Sequence, residues 1–502
     1  MNGHSTRREF LQRSAMGTLL GAGGLGFFAN LPRVTAQDVR LDGNVVTFNP
    51  EIEPLVRLLE ETPRERLLEE VGARVKSGTT YREVLGALML AGVRNIQPRP
   101  VGFKFHAVLV VHSAHLASQN APDSDRWLPV FWALDQFKSS QARDVDEGDW
   151  TMEAVDERLV PASENAPADF AAAMDAWDEA RVDVAAAALA RSGNTQAAFD
   201  LFCHYGARDY RDIGHKAIYV ANSWRTLQTI GWQHAEPVLR SLGYALLMRG
   251  TEHPADRDLL ADRPGRVNRE RLKQIRATWN GGEYRTAAVA EMLNVLRTGS
   301  WDDASAKAVA LLNGGSSPQV IWDALFHGAS ELLMRRPGIV SLHACTTANA
   351  LHYAFRHAAD DGTRRFLLLQ MAAFLPMFRG DAEEHPRVFI DSFEAAPLSP
   401  EADPLEEIFA SLRANRLEAA QRTLAYLQSG GSAKEFITAA QRLIYMKGRD
   451  SHDYKFSSAI IEDYRYLSPA MRDRFLAASV HWLKGSDEPD SPLVERSRAA
   501  LA

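Results

Sequence analysis

The sequence predicts an all-α protein made of four divergent helical repeat units that form one α-repeat domain. Two observations carry that prediction. From Asn49 onward apolar residues recur at spacings of three and four, as in "FHAVLVVHSAHLAS" and "PQVIWDALFHGASELLM", which is the period of a helix with one buried face. Four blocks of similar layout then follow one another, and each carries a histidine at the same place: His106, His215, His343 and His452, separated by 109, 128 and 109 residues. With 502 residues and 46% apolar content the chain buries a substantial core, which excludes a disordered protein.

The first 36 residues read as a targeting segment. "STRREFLQR", with paired Arg7 and Arg8, precedes the uncharged run "SAMGTLLGAGGLGFFANL" and the small-residue site "VTA" at residues 34–36. The pattern is that of a twin-arginine signal, so the translocase of that route is an expected partner and the periplasm or another exported location the destination. The "GAGGLG" inside it has no bearing on nucleotide binding. Loss of the segment removes four arginines and one glutamate and moves the formal charge from −7 to −10. A chain this acidic, without a basic run, is not expected to bind nucleic acid, and no later apolar run is long enough to span a membrane. Cys203 and Cys345 are too few for a disulfide framework and stand in no metal-binding spacing.

Residues 37–496 are expected to form the repeat domain, with units near 50–140, 170–250, 285–380 and 405–485 and a tail at 497–502. Pro- and Asp-rich breaks at 158–170, 251–268 and 380–404 separate the blocks. Within each, a helix stops at glycine ("KSGTT" at Gly78, "RSGNT" at Gly193, "NGGSS" at Gly315, "SGGSA" at Gly431) and a Ser, Thr or Asn caps the next, helix A. Helix B opens near the histidine. Helix C begins with an apolar run 21, 23, 23 and 23 residues past it, an offset that independent blocks would not keep.

Repeats place equivalent positions on equivalent faces, so the four histidines converge if the array closes on itself. They then form a metal site of imidazole ligands; otherwise each is a hydrogen-bonded core residue. Iron, copper, zinc and nickel all accept such ligands. Six or seven residues on, His112, Asn222, Asn349 and Ser458 form a second polar layer among apolar neighbours. On helix A, Asp200 and His204, and likewise Asp323 and His327, share a face at i,i+4; they either orient the metal ligands or make structural hydrogen bonds between units. His352 and His357 fall outside the matched set. Trp127, Trp132, Tyr219, Trp224 and Tyr353 either line an apolar pocket or belong to the core.

The helix starts "LH" and "GH", their spacing, and the segments "VSLHACTTANALHYAFRH" and "DYRDIGHKAIYVAN" resemble the questin oxidase-like family. That resemblance implies a non-haem iron oxygenase acting with O₂ on an aromatic or quinone-like small molecule, with C–C or ring cleavage. It implies Fe(II), with zinc or copper as alternatives, held by His106, His215, His343 and His452 and assisted by a carboxylated lysine. Lys434, on helix A of the fourth unit, is the position assigned to that lysine, and Lys447 in "MKGRD" is its rival. The export signal departs from a fungal polyketide setting and leaves the substrate open. Two other classes fit the same residues: an exported α-repeat binding scaffold without catalysis, and a zinc-dependent hydrolase.

Overall fold

A computed structural model describes residues 44–249, 253–381 and 386–502; the expected export signal lies outside the described residues. Regular structure in it is helical, with two isolated bridges, Val45–Glu153 and Glu283–Ser316. Cys203 and Cys345 are free and buried, and among the described residues no helix is long and apolar enough to cross a membrane.

The N-terminal quarter contributes α1 (Arg64–Lys76), α2 (Tyr81–Asn95), α3 (His106–Leu109), α4 (Val111–Asn120) and α5 (Leu128–Glu147). After these come α6 (Thr195–Gly206), α7 (His215–Ile230) and α8 (Ala235–Leu246), then α9 (Pro318–Arg335), α10 (Ile339–His357) and α11 (Asp361–Phe378). The last group is α12 (Ala433–Lys447), α13 (Ser451–Tyr466), α14 (Pro469–Ser479) and α15 (Pro492–Leu501).

The expected local signals place α2, α6, α9 and α12. Each is capped by a side chain, Thr80, Asn194, Ser317 and Ser432, that accepts a hydrogen bond from a first-turn backbone N–H. Gly78, Gly193 and Gly315 take the positive φ that stops the preceding helix. In the fourth block that residue is Gly430 rather than the expected Gly431.

The centre of the molecule is a ring of helices. In the order α4, α7, α10, α13 and back to α4, each packs against the two beside it. They run parallel, because the histidines near their starts meet at one pole while His115, Gln228, Tyr353 and Tyr466, from their far halves, line one cavity at the other. The flanking helices α5, α8, α11 and α14 each pack on the central helix that precedes them in the chain. The last helix, α15, packs against α1 and α5, and Arg496 bonds to Glu69. Residues 497–501, expected as a tail, continue α15 and bury Ser497 and Ala500.

The Asp-x-x-x-His pairs take the structural role of the two open alternatives. Asp200 accepts hydrogen bonds from the Ala359 and Asp360 N–H groups, and Gln196 donates to Asp200 and to the His357 carbonyl. One block later Asp323 accepts from the Ser468 N–H, and Gln319 donates to Asp323 and to the Tyr466 carbonyl. Each helix A thus clamps the end of the central helix of the next block. His327 Nε2 donates to the Met471 carbonyl at 2.8 Å, while His204 lies against Phe366. None of these four contacts a histidine of the ring.

Asp323 is fully buried and also accepts from the Tyr284 hydroxyl at 2.8 Å. Replacing it with alanine strands several donors, so D323A is expected to lose about 2–3 kcal/mol in chemical denaturation, where an exposed substitution such as D146A loses almost none.

Burial holds His204 and His481 down to about 4 and His352 to about 3. A histidine with a depressed folded-state value contributes stability above its unfolded value, near 6.5, and that stability is lost as pH falls toward the folded value. Thermal unfolding is therefore expected to move down steeply between pH 6.5 and pH 4, by roughly 1–2 kcal/mol per buried histidine at pH 5. An unfolding midpoint flat over that window would contradict it.

Candidate metal centre

The four matched histidines meet. One ring nitrogen from each of His106, His215, His343 and His452 lies within 4.8 Å of all the others; three of the residues are buried and His106 is partly so. Nε2 of His215 stands 3.0 Å from Nε2 of His106 and 2.8 Å from Nε2 of His343. This convergence follows from the ring, since His215, His343 and His452 sit in the first turns of α7, α10 and α13, and His106 opens α3 directly ahead of α4.

What aims the nitrogens is the opposite side of each imidazole. Nδ1 of His106, His215 and His343 faces the carbonyl oxygens of Phe103, Asp212 and Ile339, at 2.9, 2.6 and 2.7 Å. Nδ1 of His452 faces the Asp450 carboxylate at 2.5 Å. A carbonyl or carboxylate oxygen only accepts, so each Nδ1 carries the proton and each Nε2 presents a lone pair. Four lone pairs then point at a common centre, and two of the N···N separations are under 3.1 Å without a proton to share. Such an arrangement repels itself unless a cation lies between the nitrogens. Metal–nitrogen bonds of about 2.1 Å would put neighbouring nitrogens about 3 Å apart, as the 3.0 and 2.8 Å separations are.

Close backbone approach makes this possible. Gly214, at φ +93, precedes His215, and a Cβ there would stand 2.1 Å from the Thr347 hydroxyl of α10. The buried Asp212 carboxylate holds the same turn by accepting from the Gly214 and Lys216 N–H groups. Burial, followed by the nearby positive charge of Lys455, holds His106 and His215 well below the usual histidine range. His343 is also held well below it, by burial and then by His215, and His452 is lowered by burial. The imidazoles therefore stay neutral and ready to coordinate.

Neither lysine expected at the site is there. Lys434 is on the exposed face of α12, and Lys447 donates to the Glu488 carbonyl and the Asp490 carboxylate. The lysine beside the histidines is Lys455, one turn past His452 on α13. It is 2% exposed, its Nζ has no hydrogen-bond partner among the described residues, and burial pushes it down to about 7. The signal for it was present in "SHDYKFSSAII": a lysine three residues after a matched histidine, on the same helical face, inside an otherwise buried run.

The second polar layer also lies elsewhere than beside the ligands. Asn222, Asn349 and His112 join a network across the bundle: Arg225 donates to Asn222 and Asn349, pairs with Glu462 at 2.7 Å, and Asn349 donates to Glu462 and Asp463. Ser458 donates to Ser113. The groups that orient the imidazoles are instead three backbone carbonyls and Asp450, which sequence spacing does not reveal. His352, among Trp322, Phe326 and Tyr466, and the exposed His357 stand outside the cluster. Of the five aromatics, Trp127, Trp132, Tyr219 and Trp224 pack on other rings, and Tyr353 lines a cavity away from the histidines.

No family model, no curated protein and no solved structure matches this chain. The class defined by fold and site is therefore an all-α protein with a buried four-histidine cluster suited to a metal ion.

Purified full-length protein is expected to hold about one transition-metal ion per chain. The double variant H343A/H452A is expected to lose at least ~10-fold of that content by elemental analysis while keeping its helical circular dichroism. Unchanged metal content would place the ion elsewhere.

Proposed function

We propose that the protein is a non-haem iron oxygenase acting on an aromatic or quinone-like small molecule, with ring or C–C cleavage as the expected outcome. The observation that carries the proposal is the set of four lone pairs around one point with the buried Lys455 amine next to it. Four neutral imidazoles would leave a divalent ion its full charge at the pole where the parallel helices α7, α10 and α13 begin, the positive end of their dipoles. Asp450 brings one negative charge to that pole behind His452, and Lys455 is the group able to supply a second beside the ion. With its value near 7 a large fraction of the amine is neutral at physiological pH. A neutral amine attacks CO₂ through its lone pair, forms an N–C bond and releases one proton, which turns a potential cation into an anionic carbamate oxygen ligand.

When bound, Fe(II) would supply the activation of O₂. The chain's own groups hold the site around it: the carbonyls of Phe103, Asp212 and Ile339 keep three imidazoles in the ligating tautomer. The Asp450 carboxylate does the same for His452 and makes it a stronger donor. His106 is the one partly exposed member of the ring. We further infer four divergent units, because the Gln196–Asp200 and Gln319–Asp323 clamps repeat with the same partners one block apart. Export on the twin-arginine route rests on Arg7, Arg8 and the run after them.

Elemental analysis separates the readings: iron supports the oxygenase, zinc a hydrolase, and no metal a binding scaffold. Iron-loaded protein is expected to take up O₂ from an oxygen-electrode cell when hydroxyanthraquinones are added, with K455M and K455R reducing the rate at least ~10²-fold. Supplying ¹³C-bicarbonate is expected to give a carbamate NMR signal that K455M lacks. Iron without O₂ uptake across the panel would reject the substrate class, and an unchanged rate in K455M would reject the role of the lysine.

A further inference from the structure

The pole of the central bundle opposite the histidines contains a cavity of about 310 Å³ that the proposed function does not use. Residues from all four central helices line it, His112 and His115 from α4, Arg225 from α7, Tyr353 and Arg356 from α10, and Glu462 and Tyr466 from α13. With a helical rise of 1.5 Å per residue, its lining runs from His112 and Asn349, six residues past His106 and His343 and roughly 9 Å along the bundle, to Arg225, Arg356 and Glu462, roughly 15–20 Å from the metal centre. A molecule bound there does not touch the metal.

We propose that this cavity is a binding site for a planar aromatic carboxylate of one or two fused rings that carries a hydroxyl group. Three features of the lining choose that chemistry. The first is charge. Arg225 is neutralised by Glu462, which accepts from it at 2.7 Å, and burial raises Asp463 far above the usual carboxylate range, so that it is uncharged. His112, His115 and His352 are lowered by burial and neutral. Arg356 remains: it is exposed at the mouth, stacks at 3.8 Å over the Tyr466 ring, and has no ion-pair partner among the described residues. The negative ends of the central helices do not compensate it, because their last carbonyls are already taken. Arg82 Nε donates to the Ile230 carbonyl, Gln196 to that of His357 and Gln319 to that of Tyr466.

The second feature is shape and surface. Tyr353 on α10 and Tyr466 on α13 both line the cavity, each with a guanidinium over its ring, and such planar surfaces suit a flat π system. The third is a polar group awaiting a partner. His112 is 8% exposed, Nδ1 of its ring has no hydrogen-bond partner among the described residues, and its Nε2 stands 3.5 Å from Glu462. A buried polar nitrogen left in that state is costly, and a ligand hydroxyl at the cavity floor would satisfy it.

Fluorescence titration of the full-length protein with 3-hydroxy-2-naphthoate tests the proposal, with the corresponding amide and 2-naphthoate as comparisons. Saturable binding of one equivalent is expected, at least ~10-fold tighter for the carboxylate than for the amide and several-fold tighter than for the acid lacking the hydroxyl. R356Q, at an exposed side chain without an ion pair, is expected to bring the carboxylate down to the affinity of the amide. H112F is expected to erase the preference for the hydroxyl. The metal-site double variant H343A/H452A is expected to bind as the parent does, which keeps this result independent of the iron assignment. No saturable binding, equal affinity for acid and amide, or an R356Q variant that binds as tightly as the parent would overturn the proposal. So would binding that disappears in H343A/H452A and persists in R356Q.

Discussion

The site depends on one kind of hydrogen bond, the donation of each imidazole's Nδ1–H to an oxygen held in the turn or first helical residues beside it. With that donation in place the lone pair has a single direction to point, toward the axis of the bundle. Without it the rings would be free to rotate or take the other tautomer, and the buried nitrogens would carry protons into a space with no acceptor. Three of the four acceptors are backbone carbonyls, so the geometry is built into the chain path instead of resting on further polar side chains that would each need a partner of their own. The fourth, Asp450, brings a full negative charge to the pole, next to a helix start that favours it.

The parallel arrangement of the central helices creates a molecule with two unlike poles. At the amino-terminal pole, positive helix ends, neutral imidazoles and a buried amine meet in a dry space, which suits a metal ion only in company with an anion. At the carboxyl-terminal pole, carbonyls that would attract cations are capped by donors from α2, α6 and α9, and a network of arginine, carboxylate and amide groups ties central helices together. Between the poles run apolar and small residues such as Ala217, Ala221, Ala344 and Ala348. Parallel helices repel one another through their dipoles, and the charge-bearing groups at each end offset that cost.

Much of the site was legible because four stretches of the sequence share a layout around a histidine. Any one histidine is an ordinary core residue; four at matched offsets were recognisable as a ring, and all four stand in it. Helix stops and caps were readable for the same local reason, down to a one-residue error at Gly430. The lysine was not. Lys434 and Lys447 were chosen by their position relative to the helix starts, whereas Lys455 reaches the centre by being one turn beyond His452, and only burial on every side sets it apart from a surface lysine. Asp200, His204, Asp323 and His327 had the right spacing to share a face, but a shared face says nothing about which neighbour that face meets.

Periodicity, glycine stops and side-chain caps are encoded within a few residues of one another. The sequence by itself therefore determined the all-helical class, the order of the helices and the identity of the four converging histidines. Tertiary structure alone decided that the ring closes and that carbonyls and Asp450 aim the imidazoles. It also decided that Lys455 is the amine beside them, and that His112 and Asn349 of the second polar layer line a separate cavity. Each of those facts depends on which helix lies next to which and how deeply water is excluded between them, and neither property exists until residues more than a hundred positions apart are packed together.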